Sequence, residues 1–253
     1  MNTIPLSTHF QNYFQLRLAY TQELIERVQR VRYDVYCREF GYEREENCPG
    51  GLEKDDYDQH SVHCLIVHKA SDTPAGCVRL VKTPPHDPSL PLPLEKFCGH
   101  SLTHATLHPA HLPRTGISEI SRLAVHTDFR RRPGESESPM GHVSGLEITE
   151  VERRTFPLIS LALFAAATVL TLLTQRKDVF VMVEPRLAGR LQGAGLPFIQ
   201  VGDLLDYHGD RAPYYIHTDS ALENMKEELR ALYDFVYENL KADVDQAGIN
   251  LAQ

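Results

Sequence analysis

The chain contains no tryptophan, and its 26 lysines and arginines are outnumbered by 34 aspartates and glutamates. A net charge of −8 removes the broad positive field on which nucleic-acid binding depends, and neither a basic tail nor an RNA-reading aromatic motif is present. The five cysteines, at 37, 48, 64, 77 and 98, form no CxxC pair and are odd in number. With Cys64 and Cys77 inside apolar runs, the expectation is reduced, mostly buried thiols in a cytoplasmic protein and no zinc centre. The N-terminus is polar and lacks the apolar segment of a signal peptide. Long apolar runs are also missing, with one exception. Residues 157–174 carry no charge and approach the roughly 20 residues that a bilayer requires. Ala165-Ala166-Ala167 and three threonines suit close packing, and a strand-like stretch follows at once after Gln175-Arg176-Lys177. The run therefore reads as a helix buried between a sheet and other elements, with membrane association confined to that helix or to a product.

What remains is enough apolar sequence, 42% of 253 residues, for one substantial core. A helix is expected over 21–40, with Thr21 as cap, Glu23 in the first turn, and Leu24, Ile25, Val28, Val31 and Val35 as the buried stripe. Gly41 ends it. Strands are expected over 62–67 and 75–81, joined by the turn Ser71-Asp72-Thr73-Pro74. The segment 82–116 holds seven prolines and is too long for an ordinary connection, so it reads as an insertion or functional loop. A strand around Glu119 follows, then a polar stretch over 133–145, the apolar helix, a strand over 178–184 and a helix over 185–193. Shorter strands are expected over 198–201 and 214–217. A final helix to about 242 opens on the capping box Ser220-x-x-Glu223. The order predicts an α/β domain with a mixed, mostly antiparallel sheet and one βαβ crossover. That domain would span 1–217, with insertions at about 82–116 and 133–157, and 218–253 would be a helix packed on it or extending from it.

Chemistry concentrates in Glu119-Ile120-Ser121-Arg122. Strand alternation puts Glu119 and Ser121 on one face and Ile120 and Arg122 on the other. Burial would raise the Glu119 pKa toward neutrality, as a general base requires; a structural ion pair with Arg79 or Arg122 is the plain alternative. Asp55 and Asp58, with His60 and His63, suggest a metal site, but the spacing matches no common signature. Arg32, Arg79 and Arg122 lie in otherwise apolar elements and need carboxylates, so the aspartates read better as their partners. His100, His104, His108 and His111 fall among helix breakers and read as a solvated loop. Arg130-Arg131-Arg132 reads as a solvated turn, or as a contact for phosphate or an acidic protein.

These motifs in order, Arg32…Tyr36…Tyr42, Asp55-x-x-Asp58, Gly76-Cys77-Val78-Arg79-Leu80 and Glu119-Ile120-Ser121-Arg122, resemble the signature of the autoinducer (acyl-homoserine-lactone) synthases, which have a GNAT-like acyltransferase fold. The closer likeness is to N-acyl amino acid synthases and the PEP-CTERM/exosortase-associated acyltransferases. It is carried by Arg32-Tyr33-Asp34-Val35-Tyr36-Cys37, Asp58-x-His60-Ser61-Val62-His63 and Tyr207-His208-Gly209-Asp210-Arg211, and it runs from about 13 to 217.

The resemblance implies transfer of a fatty acyl group from an acyl-phosphopantetheine thioester to the amine of an amino acid or related small molecule, with no tightly bound cofactor or metal. Glu119 would take the amine proton, with Ser121 and Arg122 beside it. Arg32, Tyr36, Tyr42, Asp55, Asp58 and Arg79 would shape the acceptor site. Backbone around Val125 and the basic turn Arg130, Arg131 and Arg132 would meet the phosphopantetheine or its carrier. The apolar helix and the 178–184 strand would wall the acyl chain. The Gly-rich pyrophosphate loop of coenzyme-A-using relatives is missing after the strand, which favours acyl carrier protein over acyl-CoA as donor. Tyrosines at 36 and 42, where quorum-signal synthases usually carry Phe and Trp, favour an amino acid over S-adenosylmethionine. A lactone synthase and a non-catalytic acyl- or carrier-binding module remain the alternatives. The motif His208-Gly209-Asp210-Arg211 has no role legible from sequence.

Overall fold

In the computed structural model, which describes residues 6–84, 87–130, 152 and 154–252, the two apolar runs after the acidic cluster form β2 (Ser61–His68) and β3 (Thr73–Lys82). They pair antiparallel, and nearly every residue of both is buried. Strands covered on both faces carry apolar residues at successive positions, which is why Leu65, Ile66 and Val67 show no alternation. Ahead of them α1 (Leu6–Tyr13) leads into β1 (Phe14–Ala19), an edge strand the sequence reading missed, which pairs antiparallel with β2.

β4 (Ile117–Val125), α4 (Pro157–Leu173) and β5 (Asp178–Val183) form the expected parallel crossover. β8 (Asp210–His217) returns antiparallel to β5, and the short β6 (Ile199–Gln200) and β7 (Leu205–Asp206) pair with β8. The sheet order is β1-β2-β3-β4-β5-β8-β6.

α4 and the last helix, α7 (Glu227–Ala247), cover one face with the main core cluster. Its alanines 162, 165 and 166 are fully buried, and the backbone of β3 comes close at Gly76. A Cβ there would sit 2.8 Å from the Ala124 carbonyl oxygen and 3.2 Å from the Leu163 side chain. Among the described residues no helix is long and apolar enough to cross a membrane. The other face is divided. α2 (Gln22–Arg32) packs on the β1–β3 half, and the 82–116 segment, including α3 (Pro93–Cys98), packs on the β4–β5–β8 half. All five cysteines are free and buried.

Three expectations are corrected. The 21–40 helix is capped by Thr21, whose hydroxyl accepts from the Leu24 N–H at 3.3 Å, but it is α-helical only to Arg32 and then widens into a π-helix over Tyr33–Glu39. The single C-terminal helix is two, α6 (Thr218–Asn224) and α7. The Ser220 capping box is not the start, because His217 caps α6 by accepting from the Asp219 N–H. The break at Met225 and Lys226 is stitched to the turn after α5 (Pro185–Gly193) by the Lys226 N–H to Ala194 carbonyl bond. Finally, β8 begins four residues before the expected strand at 214 and makes a tight hairpin with β7 through His208 (φ 56°) and Gly209 (φ 96°). The polar stretch expected over 133–145 lies outside the described residues.

Candidate active site

β4 and β5 pair only from Ile117–Asp178 to Ile120–Val181. Beyond Ile120 the two strands part, and the edge of β4 that faces β5 has no ladder partner there among the described residues. Just past this point β4 bulges. Two residues, Arg122 and Leu123, oppose the single Val78 of β3, and Arg122 takes a left-handed backbone conformation with φ 51°. The bulge overturns the simple alternation. Arg122 does not brace the opposite face but joins Glu119 and Ser121 on the face covered by α2 and α3.

The three arginines of the sequence reading meet there. Arg32 is fully buried and Arg79 is 1% exposed. Arg32 Nη1 and Arg79 Nη1 each donate to Asp58 Oδ1 at 2.7 Å. Arg79 Nη1 also reaches Asp55 Oδ1 at 2.6 Å, and Arg122 Nη2 reaches Asp55 Oδ2 at 3.2 Å. The short turn over Asp56–His60 supplies the geometry: Asp55 caps it, and Asp58 accepts in return from the Asp55 N–H at 3.2 Å. A third carboxylate, missed in the sequence, completes the lattice. Glu53 pairs with Arg32 Nε through Oε2 and with Arg122 Nη2 through Oε1 at 3.1 Å. Three guanidinium groups thus meet three carboxylates. Burial alone would raise the Asp55 and Asp58 carboxyls, but Arg79 and Arg122 hold Asp55 below its ordinary value, and Arg32 and Arg79 hold Asp58 well below it. His63, behind them, is pushed down to about 4, by burial first. The arginine-pairing reading of these aspartates is the one the geometry shows.

Glu119 stands apart from this lattice. It is 4% exposed, and its Oε2 accepts from the Leu94 N–H of α3 at 2.8 Å. No guanidinium lies within ion-pair distance among the described residues, so the plain reading of a Glu119 ion pair is not what is seen. Burial raises its pKa to about 8, only partly opposed by the Leu94 N–H and by Arg79. Ser121 is oriented by Arg79 Nε, which donates to its hydroxyl oxygen at 3.1 Å.

Glu119, Ser121, Arg122, Asp55 and Arg79 border an open cleft. The π-helix turns Tyr36 into its wall, where the hydroxyl donates to the Leu123 carbonyl at 2.9 Å and the ring lies under Arg122. Tyr42 stacks on His208 at 4.5 Å between ring centroids, so the hairpin motif with no role legible from sequence closes one side of the cleft. On the other face of the sheet, an apolar pocket lies between Phe164 of α4, Val179 and Val181 of β5, Leu191 of α5 and Ile216 of β8. Ile120, at the point where β4 and β5 part, borders both spaces.

The residues read as contacts for the donor are not brought together in the same way. The Val125 side chain packs in the main core, leaving only its backbone to meet a donor. Arg130 is bonded to Glu39 and lies 4.9 Å from the Phe40 ring centroid. Arg131 and Arg132 fall outside the described residues. His104 and His108 each accept from turn N–H groups of the 82–116 loop, Leu107 and Ala110 respectively.

Residues 31–137 match the family model described as the acetyltransferase (GNAT) domain. No curated protein matches the chain significantly. Among solved structures, a CoA-dependent acyl-homoserine lactone synthase, BjaI, with SAM and isopentyl-CoA is 19% identical, with a TM-score of 0.58 over 88% of this chain and 89% of that one. TofI, in a ternary complex with an inhibitor and MTA, is 17% identical, with a TM-score of 0.55 over 86% and 99%. FeeM, an N-acyl amino acid synthase from uncultured soil microbes, is 11% identical, with a TM-score of 0.51 over 84% and 94%. The fold is the GNAT-like α/β fold, and the match over residues 31–137 to an acetyltransferase domain supports an acyltransferase enzyme.

Proposed function

We propose that the chain moves a fatty acyl group from the phosphopantetheine thioester of an acyl carrier protein to the amine of an amino acid or related small molecule. The observation that carries this reading is the place of Glu119. It is a buried carboxyl whose pKa burial raises to about 8, in the strand whose Ile120 borders both a polar cleft and an apolar pocket. An acyl chain suits the apolar side and an amine suits the polar side, with the thioester carbonyl between them at the splay.

Aminolysis makes three demands, and groups at this place suit them. An ammonium must lose a proton before it can attack, and a carboxylate with a pKa of about 8 is a far better acceptor for that proton than one with an ordinary value. The tetrahedral oxyanion needs donors, and the unpaired edge of β4 beyond Ile120, together with the Ser121 hydroxyl, supplies candidates. The attacking nitrogen forms the amide bond as the C–S bond breaks. Its proton passes to Glu119, directly or through water, and Glu119 returns a proton to the departing thiolate, so the carboxyl ends the step as it began. The lattice of Arg32, Arg79 and Arg122 then acts as a frame that holds Ser121 and the cleft wall without neutralising the base.

Glu119→Gln tests the assignment. Turnover with acyl carrier protein and an amine panel falls about 10²–10⁴-fold, the range for a lost general base, while acyl-carrier binding persists. Full rate in the variant removes Glu119 as the base. Mass spectrometry of the wild-type product, with acyl carrier protein and acyl-CoA offered separately, identifies donor and acceptor. A homoserine lactone in place of an acyl amino acid overturns the acceptor class.

A further inference from the structure

Four cationic side chains border the cleft, and they are not in the same state. Arg79 is held by Asp55 and Asp58, and Arg122 by Glu53 and Asp55. Lys96 is exposed, with its ammonium 5.8 Å from the Tyr57 ring centroid and 5.3 Å from that of Phe97. Arg211 is half-buried at the start of β8, its guanidinium carbon 5.8 Å from the Tyr42 ring centroid. It has neither a carboxylate within ion-pair distance nor a hydrogen-bond acceptor among the described residues. The acids beside it are engaged elsewhere or do not reach it: Asp206 accepts from the Gly209 N–H at 3.1 Å, and Glu43 lies 3.9 Å from Arg122.

A guanidinium carries five donors in a planar fork, and partial burial without an acceptor is costly. Its one aromatic neighbour is Tyr42, whose ring is itself fixed by stacking with Phe40 and His208. Such a group is preorganised for an anion that the protein itself does not provide. We infer that Arg211 binds a carboxylate on the amine acceptor and so sets the preference for amino acids over simple amines. This rests on the acyl-transfer reading. Arg211 borders the polar cleft with Glu119 and not the apolar cavity, which places it with the acceptor and not with the acyl chain.

The test compares amino acids with their decarboxylated amines, such as leucine with isopentylamine, across a panel and within one preparation of each protein. Because both substrates meet the same folded enzyme, the ratio of their kcat/KM values is insensitive to partial misfolding. Wild type favours the amino acid roughly tenfold to hundredfold, the span of a charge-assisted hydrogen bond. Arg211→Met brings the ratio near one through the amino-acid KM, and Arg211→Lys retains part of it. An unchanged ratio in Arg211→Met overturns the inference and leaves acyl transfer standing. So does an intact ratio with a raised KM for acyl carrier protein, which would assign Arg211 to the donor phosphate. A wild type that acylates no amine overturns acyl transfer itself, and this inference with it.

Discussion

Asp58 and Glu119 are carboxylates within the same cleft region, and the protein drives them in opposite directions. Asp58 accepts from two arginines and is held ionised; Glu119 accepts one backbone N–H and is held near neutrality. Both are desolvated, Glu119 more completely than Asp58, but burial pushes the two in the same direction and does not account for their opposite shifts. The difference is the guanidinium partner, and it divides the site into a lattice that is charged at any physiological pH and a corner that can exchange a proton.

The contrast breaks most severely when the lattice loses a cation. Arg32→Met strands Glu53 and Asp58 without their most buried partner, at a cost of about 3–5 kcal/mol, read as a lowered denaturant midpoint. A midpoint within about 1 kcal/mol of wild type would mean that the carboxylates relax to water and that the lattice is not a frame. The next effect is kinetic. With acceptor in its reactive range, log(kcat/KM) rises with pH and levels above about 8 as Glu119 ionises, and Glu119→Gln removes that limb together with the rate. A wild-type profile with its break near the ordinary carboxylate value would place the base elsewhere. Across the sheet, Val181→Phe fills the apolar cavity and shifts the preference to shorter acyl chains. Each methylene excluded is worth about 1–3 kcal/mol in relative kcat/KM. An unchanged chain-length profile would mean that the acyl group does not enter this cavity.

The lattice was largely legible in the sequence because charge in apolar elements is a rule-bound anomaly: Arg32, Arg79 and Arg122 demanded acids, and Asp55 and Asp58 stood in register to meet them. Glu53 was missed although the same count implied it, since three buried arginines need a third carboxylate once Glu119 is reserved as a base. The side on which Arg122 falls was not legible, because the bulge that turns it arises from register with β3 and not from its own neighbours. For the same reason Tyr36 was named but the π-helix that aims it was not. The hairpin around His208 stayed without a role until β8 brought it against Tyr42, more than 150 positions away in the chain. Local pattern was enough for the crossover helix and the strand pairs; it was silent where a long-range contact chooses between two locally acceptable conformations.

The pH dependence of stability is the most direct measure of the contrast, because it needs no substrate. Between about pH 4.5, the ordinary value for a glutamate, and about 8, folded Glu119 keeps a proton that the unfolded chain has released. The folded state therefore binds more protons, and Glu119 makes stability fall as pH rises, by at most about 1.4 kcal/mol per unit. The partners of the lattice act with the other sign. Asp58 has a lowered pKa, so its contribution is full above the ordinary aspartate value and is lost in acid. His63, neutral down to about 4 when folded, withdraws its contribution as pH falls from 6.5 toward 4. Glu119→Gln should leave that acid limb in place and flatten the fall toward pH 8, so that the melting temperatures of variant and wild type diverge as pH is raised. Parallel profiles from pH 5 to 8.5 would mean that Glu119 is ionised in the folded state at neutral pH, and the two carboxylates would then be alike after all.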